Sequence, residues 1–153
     1  MMHWLTELWA APAALGFALL FNVPPRTIVA CGILAIIGHA ARSGVLALHG
    51  DVVLGTLIAA VVIGLLADLW AGRQGDPPAI YAISAAIPLV PGKFMYESVQ
   101  ALLGIAVLPA DGNGAALIAT AGISAVKAAM ILLALSFGIA APLLLRPHLG
   151  KAG

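Results

Sequence analysis

Charge is what this chain has least of. Of 153 residues, 8% are Asp, Glu, Lys or Arg and 63% are hydrophobic. A soluble domain carries about a quarter charged residues, so the composition excludes one and points to an integral membrane protein. Cysteine is nearly absent too. The single Cys31 has no partner for an internal disulfide, and a zinc or iron–sulfur centre built on cysteines is excluded by count. The net charge is only +1, which leaves no polybasic surface and no nucleic-acid partner. Enzyme signatures are missing: there is no Gly-x-Ser-x-Gly, no His-Glu-x-x-His and no phosphate-binding Walker loop. The sequence therefore suggests a protein that is not an enzyme and uses no cofactor. The stretch Met1–Glu7 has no basic region and is followed by no small-residue cleavage site, so it reads as the start of a retained helix.

What is present is long apolar sequence cut by clear punctuation. A spanning helix needs about 20 apolar residues. Five segments qualify, at about Trp4–Phe21, Thr27–Leu48, Val52–Trp70, Ala79–Leu108 and Ala115–Leu145. Asn22-Val23-Pro24-Pro25-Arg26, His49-Gly50-Asp51, the run 72–78 and the run 109–114 separate them. The predicted fold is all-α: a polytopic membrane helix bundle, one transmembrane domain over 1–153, with about five transmembrane helices. The fourth is broken at Pro88-Leu89-Val90-Pro91-Gly92, a Pro-x-x-Pro-Gly element. Proline removes a backbone donor and clashes with the preceding turn. In hydrocarbon the freed groups need protein or a water-filled cavity as partner. With Lys93 beside it, the break is the usual pointer to a transport site.

Basic residues set the orientation. With five spans, Arg26, Arg73, Arg146 and Lys151 fall on one side, and the opposite tail and loops hold no Lys or Arg. This predicts an outside N-terminus and a cytoplasmic C-terminus. Trp4, Trp9 and Trp70 lie near segment ends, as interfacial anchors do. A four-span reading, with a partial second segment, would spoil the charge bias. A re-entrant 79–91 followed by a crossing at 93–108 is the other alternative. That crossing is about 24 Å long, short of the roughly 30 Å core.

Polar residues away from segment ends are the candidates for chemistry. Lys127 stands near the middle of the last segment, where an unpaired lysine costs several kcal/mol to insert. A structural pair with Glu97 or Asp68 is the plain alternative to a substrate contact. Lys93 and Glu97 are four apart and share a helix face. Their plain reading is a local ion pair; their sharper one is a carboxylate site, with Lys93 beside the free N–H groups of a restarting helix. Arg42 offers a bidentate clamp for a carboxylate or an interfacial anchor. His39, three residues earlier, is a proton relay or a packing residue. The expected substrate-binding set is Lys93, Lys127, Arg42, Glu97, Tyr96, Pro88, Pro91 and Gly92, with His39 and Glu97 as proton-coupling candidates. The excess of intramembrane cations suits an anion or zwitterion, not a metal cation.

These residues also carry a resemblance. Phe21-Asn22-Val23-Pro24, Arg26, Gly38-His39 with Arg42, and Ala86-Ile87-Pro88 with Val90-Pro91-Gly92 resemble the threonine/serine exporter (ThrE) family. More closely, the chain is similar to its small stand-alone subunit, the YjjB type, over nearly its whole length. The resemblance implies a secondary exporter of two parts, fused or split, with a larger membrane subunit as partner. Fused members imply threonine and serine export; split members imply succinate export. The expected function is export of a small carboxylate across the bacterial inner membrane. The alternatives are a scaffold for the larger partner, or a small channel formed as a homo-oligomer of this chain in the lipid bilayer.

Overall fold

A computed structural model describes residues 8–109 and 112–145. The expected helix start at residue 4, Trp4 as an anchor, and Arg146, Pro147 and Lys151 lie outside the described residues. Within them all regular structure is helical, in the order α1 (Ala10–Leu20), α2 (Pro25–Ala47), α3 (Val52–Gln74), α4 (Pro78–Ala86), a 3₁₀ turn (Ile87–Leu89), α5 (Gly92–Ala106) and α6 (Ala115–Leu145). Each of these helices falls within the stretch of one expected segment or overlaps it, and α4 and α5 flank the Pro88–Gly92 break.

Local chemistry sets the boundaries. Asn22 takes a positive φ of 54° after α1, and Pro25 opens α2 where its missing N–H is harmless. Asp51 caps α3, its carboxylate accepting from the Val53 N–H at 2.8 Å. Gly75 ends α3 with φ 75°, a left-handed conformation that glycine adopts without penalty. This end lies four residues past the predicted one, because Ala71-Gly72-Arg73-Gln74 continues the helix to that cap.

α2 and α3 have 23 residues each, about 34 Å of helix against a core of roughly 30 Å. These two and Ala115–Pro142 are the three described helices long and apolar enough to cross a membrane; the bent α4–α5 pair fits either a broken fourth span or a re-entrant loop. The described part of α1 is shorter, at 11 residues. The protein is thus a multi-pass membrane protein.

The described residues fall into two compact units, 8–89 with 134–145, and Val90–Leu133. The first has an alanine-rich core: Ala10, Ala14 and Ala18 of α1, Ala30 and Ala35 of α2, Ala59, Ala60, Ala67 and Ala71 of α3, and Ala82 and Ala85 of α4 are all buried. Small faces let helices approach closely, which drives packing where lipid offers no hydrophobic gain. At Gly138 of α6 an added Cβ would lie 2.9 Å from the Leu57 carbonyl oxygen of α3, so this crossing requires glycine. The second unit is the antiparallel pair of α5 and the first part of α6.

Candidate functional site: the helix break and the polar end of the α5–α6 pair

The break is local and well defined. α4 ends at Ala86, Ile87–Leu89 form a 3₁₀ turn, and α5 restarts at Gly92. Pro88 and Pro91 supply no N–H, and the Gly92 N–H turns back to the Val90 carbonyl at 2.8 Å. No side chain caps α5, so its first turn keeps unspent donors and the positive end of its dipole. Pro91 is buried, Pro88 half-buried, and Gly92 exposed.

In the first unit, Arg42 of α2 reaches this break. Its Nη1 donates to the Leu89 carbonyl at 3.2 Å, meeting an acceptor that the interrupted helix leaves over. With this bond Arg42 fastens α2 to the end of the 3₁₀ turn, while its remaining guanidinium N–H groups are not engaged by it. His39, one turn back, is half-buried.

In the second unit, α5 and α6 pair in one antiparallel register. Gly104 lies against Leu117, the Ser98 hydroxyl donates to the Ala121 carbonyl at 3.0 Å, the Ser124 hydroxyl donates to Glu97 Oε2 at 3.3 Å, and Lys127 Nζ sits 5.7 Å from the centre of the Phe94 ring. The register gathers the polar groups at one end of the pair. Lys93 Nζ is 3.8 Å from Glu97 Oε1, a long contact of the weak exposed class. The Lys93 side chain is 80% exposed and that of Glu97 36%. Lys127 and Tyr96 are exposed too. Lys127 lies 12 residues into α6, about 18 Å from its start and far from either end of that helix.

So the structure brings Lys93, Glu97 and Lys127 together on one helix pair, and Arg42 with the break that Pro88 begins. Sequence reasoning missed Phe94, the cation–π partner of Lys127, and gave Ser124 no place in the site. The signal was there: Phe94 and Glu97 are three apart, as are Ser124 and Lys127, so each pair shares a face. It also missed a network at the other end of α2. Arg26 Nη2 donates to Asp76 Oδ1 at 2.5 Å, and the buried Tyr81 hydroxyl donates to Asp76 Oδ2 at 3.0 Å. The Arg26 guanidinium, with help from Tyr81, holds the Asp76 carboxyl below its usual range.

Comparison with known proteins agrees with this architecture. Residues 7–145 match the family model described as "Threonine/Serine exporter, ThrE". An uncharacterized protein of Haemophilus influenzae is 36% identical over 138 residues, which is 90% of this chain and 46% of that protein. The chain thus spans about half the length of this curated relative. No solved structure matches it.

Proposed function

The chain belongs to the threonine/serine exporter (ThrE) family, and from that premise we propose that it is one membrane subunit of a two-part secondary exporter for small carboxylates. The observation that carries this reading is the polar end of the α5–α6 pair. Lys93, Glu97 and Lys127 are charged groups on membrane helices, and the pair itself leaves both lysines exposed. Lipid is a poor neighbour for them, so this face suits a water-filled path or the partner subunit. A substrate carboxylate would take Lys127, Lys93 and the free N–H groups at the start of α5. Glu97 would receive a substrate ammonium group or carry the coupling proton, with His39 as a second proton candidate. Arg42 would hold the break in shape. Tyr96, Pro91 and Gly92 would frame the opening. A bacterial inner-membrane location with an outside N-terminus belongs to the same proposal.

The relative's length supports two parts, since this chain spans 46% of it. The test is counterflow in proteoliposomes, with and without the larger subunit, using labelled succinate against labelled threonine and serine. Succinate exchange that needs both chains supports a split dicarboxylate exporter. Threonine or serine exchange moves Glu97 to the centre as ammonium partner. Conductance from this chain alone supports the channel, and no exchange of any of the three substrates contradicts the proposal.

A further inference from the structure

The polar side of the α5–α6 pair runs further than its charges. In α5, Gln100 stands seven residues past Lys93 and three past Glu97, so the three share a face. In α6, Thr120 stands seven residues before Lys127 and shares its face in the same way. The register fixes which levels meet. Ser98 bonds to Ala121 and Gly104 lies against Leu117, so Gln100 is level with Thr120. Counted around each helix from the Ser98–Ala121 seam, Glu97, Lys93 and Gln100 turn to one side of α5, and Lys127 and Thr120 turn to that same side of α6. Lys93 Nζ leans to Glu97 Oε1 at 3.8 Å, so the charged heads gather at the level of Glu97. Gln100 and Thr120 form an uncharged polar level one turn further, about 4.5 Å along the pair.

Both residues have hydrogen-bonding capacity left over, and both are exposed. The Gln100 amide has no hydrogen-bond partner among the described residues. The Thr120 hydroxyl donates to the Ala116 carbonyl at 2.9 Å, so its oxygen remains as an acceptor. An open amide on a membrane helix is costly against lipid and belongs beside a water-filled path or a ligand. The level thus offers an amide that donates and accepts, next to an oxygen that accepts. The ligand group that fits both is a hydroxyl, which donates to Thr120 Oγ1 and accepts from Gln100 Nε2. A second carboxylate has no proton for Thr120, and a methyl group satisfies neither residue.

On the basis of the carboxylate export proposed above, we infer that Gln100 and Thr120 are a specificity pair that reads a hydroxyl on the substrate. The carboxylate end stays with Lys93 and Lys127. The hydroxyl lies one turn further along, against Gln100 and Thr120, a separation that suits an acid carrying its hydroxyl one or two carbons from the carboxylate. The pair reads the hydroxyl and not the rest of the carbon skeleton, so the preference holds for a dicarboxylate and for an amino acid alike.

The test is counterflow with both subunits present, using two matched pairs of labelled substrates that differ by one hydroxyl: malate against succinate, and serine against alanine. The unaltered chain is expected to favour the hydroxylated member of whichever pair it moves. Thr120→Val, which keeps the shape and removes the acceptor, and Gln100→Leu should each cut that preference about fivefold, the value of one neutral hydrogen bond. Transport of succinate or alanine should be unchanged in both variants. Thr120→Ser should restore the preference. Three results overturn the specificity pair and leave the carboxylate site standing: no preference in the unaltered chain, a preference unchanged in both variants, or an equal loss for both members of a pair. No exchange of any of the four substrates overturns the exporter proposal and this one with it.

Discussion

Lys127 shows how one residue constrains an account. A lysine at mid-helix in an apolar segment was conspicuous in the sequence, but its neighbour was not. Phe94 lies 33 residues away, and only the antiparallel register of α5 and α6 sets the ring under the ammonium group. The contact accommodates the charge without neutralising it, so the lysine keeps its attraction for an anion. Lys127→Ala is expected to raise the KM for the transported carboxylate at least about tenfold, since a charge-assisted contact contributes about 1.5–3 kcal/mol. Lys127→Arg should recover part of that. Transport kinetics in proteoliposomes read both. Asp76 gives a separate prediction. Its carboxyl is held below the usual range by Arg26, so the folded state binds the proton less well than the unfolded state. That contribution is present above the unfolded value of about 3.9 and fades as pH falls through the lower folded value. Melting of the purified chain should therefore be flat from neutral pH to about pH 5 and drop only below about pH 4, and Asp76→Asn should flatten that acid limb.

At the scale of elements, the broken fourth segment was legible because two prolines and a glycine have no other use in an apolar run. Its fastening was not legible. Arg42 read as a carboxylate clamp or an interfacial anchor, and nothing in the sequence signalled that it spends a donor on the Leu89 carbonyl, a partner 47 residues away that no local pattern announces. Arg42→Ala leaves that carbonyl without its donor, and Arg42→Lys provides one donor on a different stem. Export should fall in both, more in the alanine variant, with complex assembly intact. Helix contacts separate similarly. Gly138 and Gly122 look alike in sequence, but only Gly138 faces a neighbouring backbone, while Gly122 has open space around it. Gly138→Leu is expected to destabilise by about 1–3 kcal/mol through overpacking, and Gly122→Leu should leave melting unchanged. A thermal shift assay in detergent compares the two.

The whole molecule was the most legible of all. A chain with 8% charged residues and 63% hydrophobic residues has one solvent it suits, and the loop residues between apolar runs mark where each helix ends. Membrane sidedness follows from charge rather than from packing. Arg73→Cys is expected to be labelled from the cytoplasmic side and Asn113→Cys from the outside, by membrane-impermeant thiol reagents on a Cys31→Ala background. The reverse pattern would invert the proposed topology. What the chain moves was less legible, because a carboxylate contact and a structural ion pair use the same residues, and Lys93 with Glu97 at 3.8 Å serves either role.

The most direct test of the central claim is the concentration dependence of carboxylate counterflow with both subunits present, for the unaltered chain and for the Lys93→Ala, Glu97→Ala and Lys127→Ala variants. The account predicts normal assembly with a KM raised at least about tenfold for Lys127→Ala, and impaired transport for the other two. Unchanged kinetics in all three, with assembly intact, would contradict it and leave this chain as a scaffold for a site held wholly by its partner.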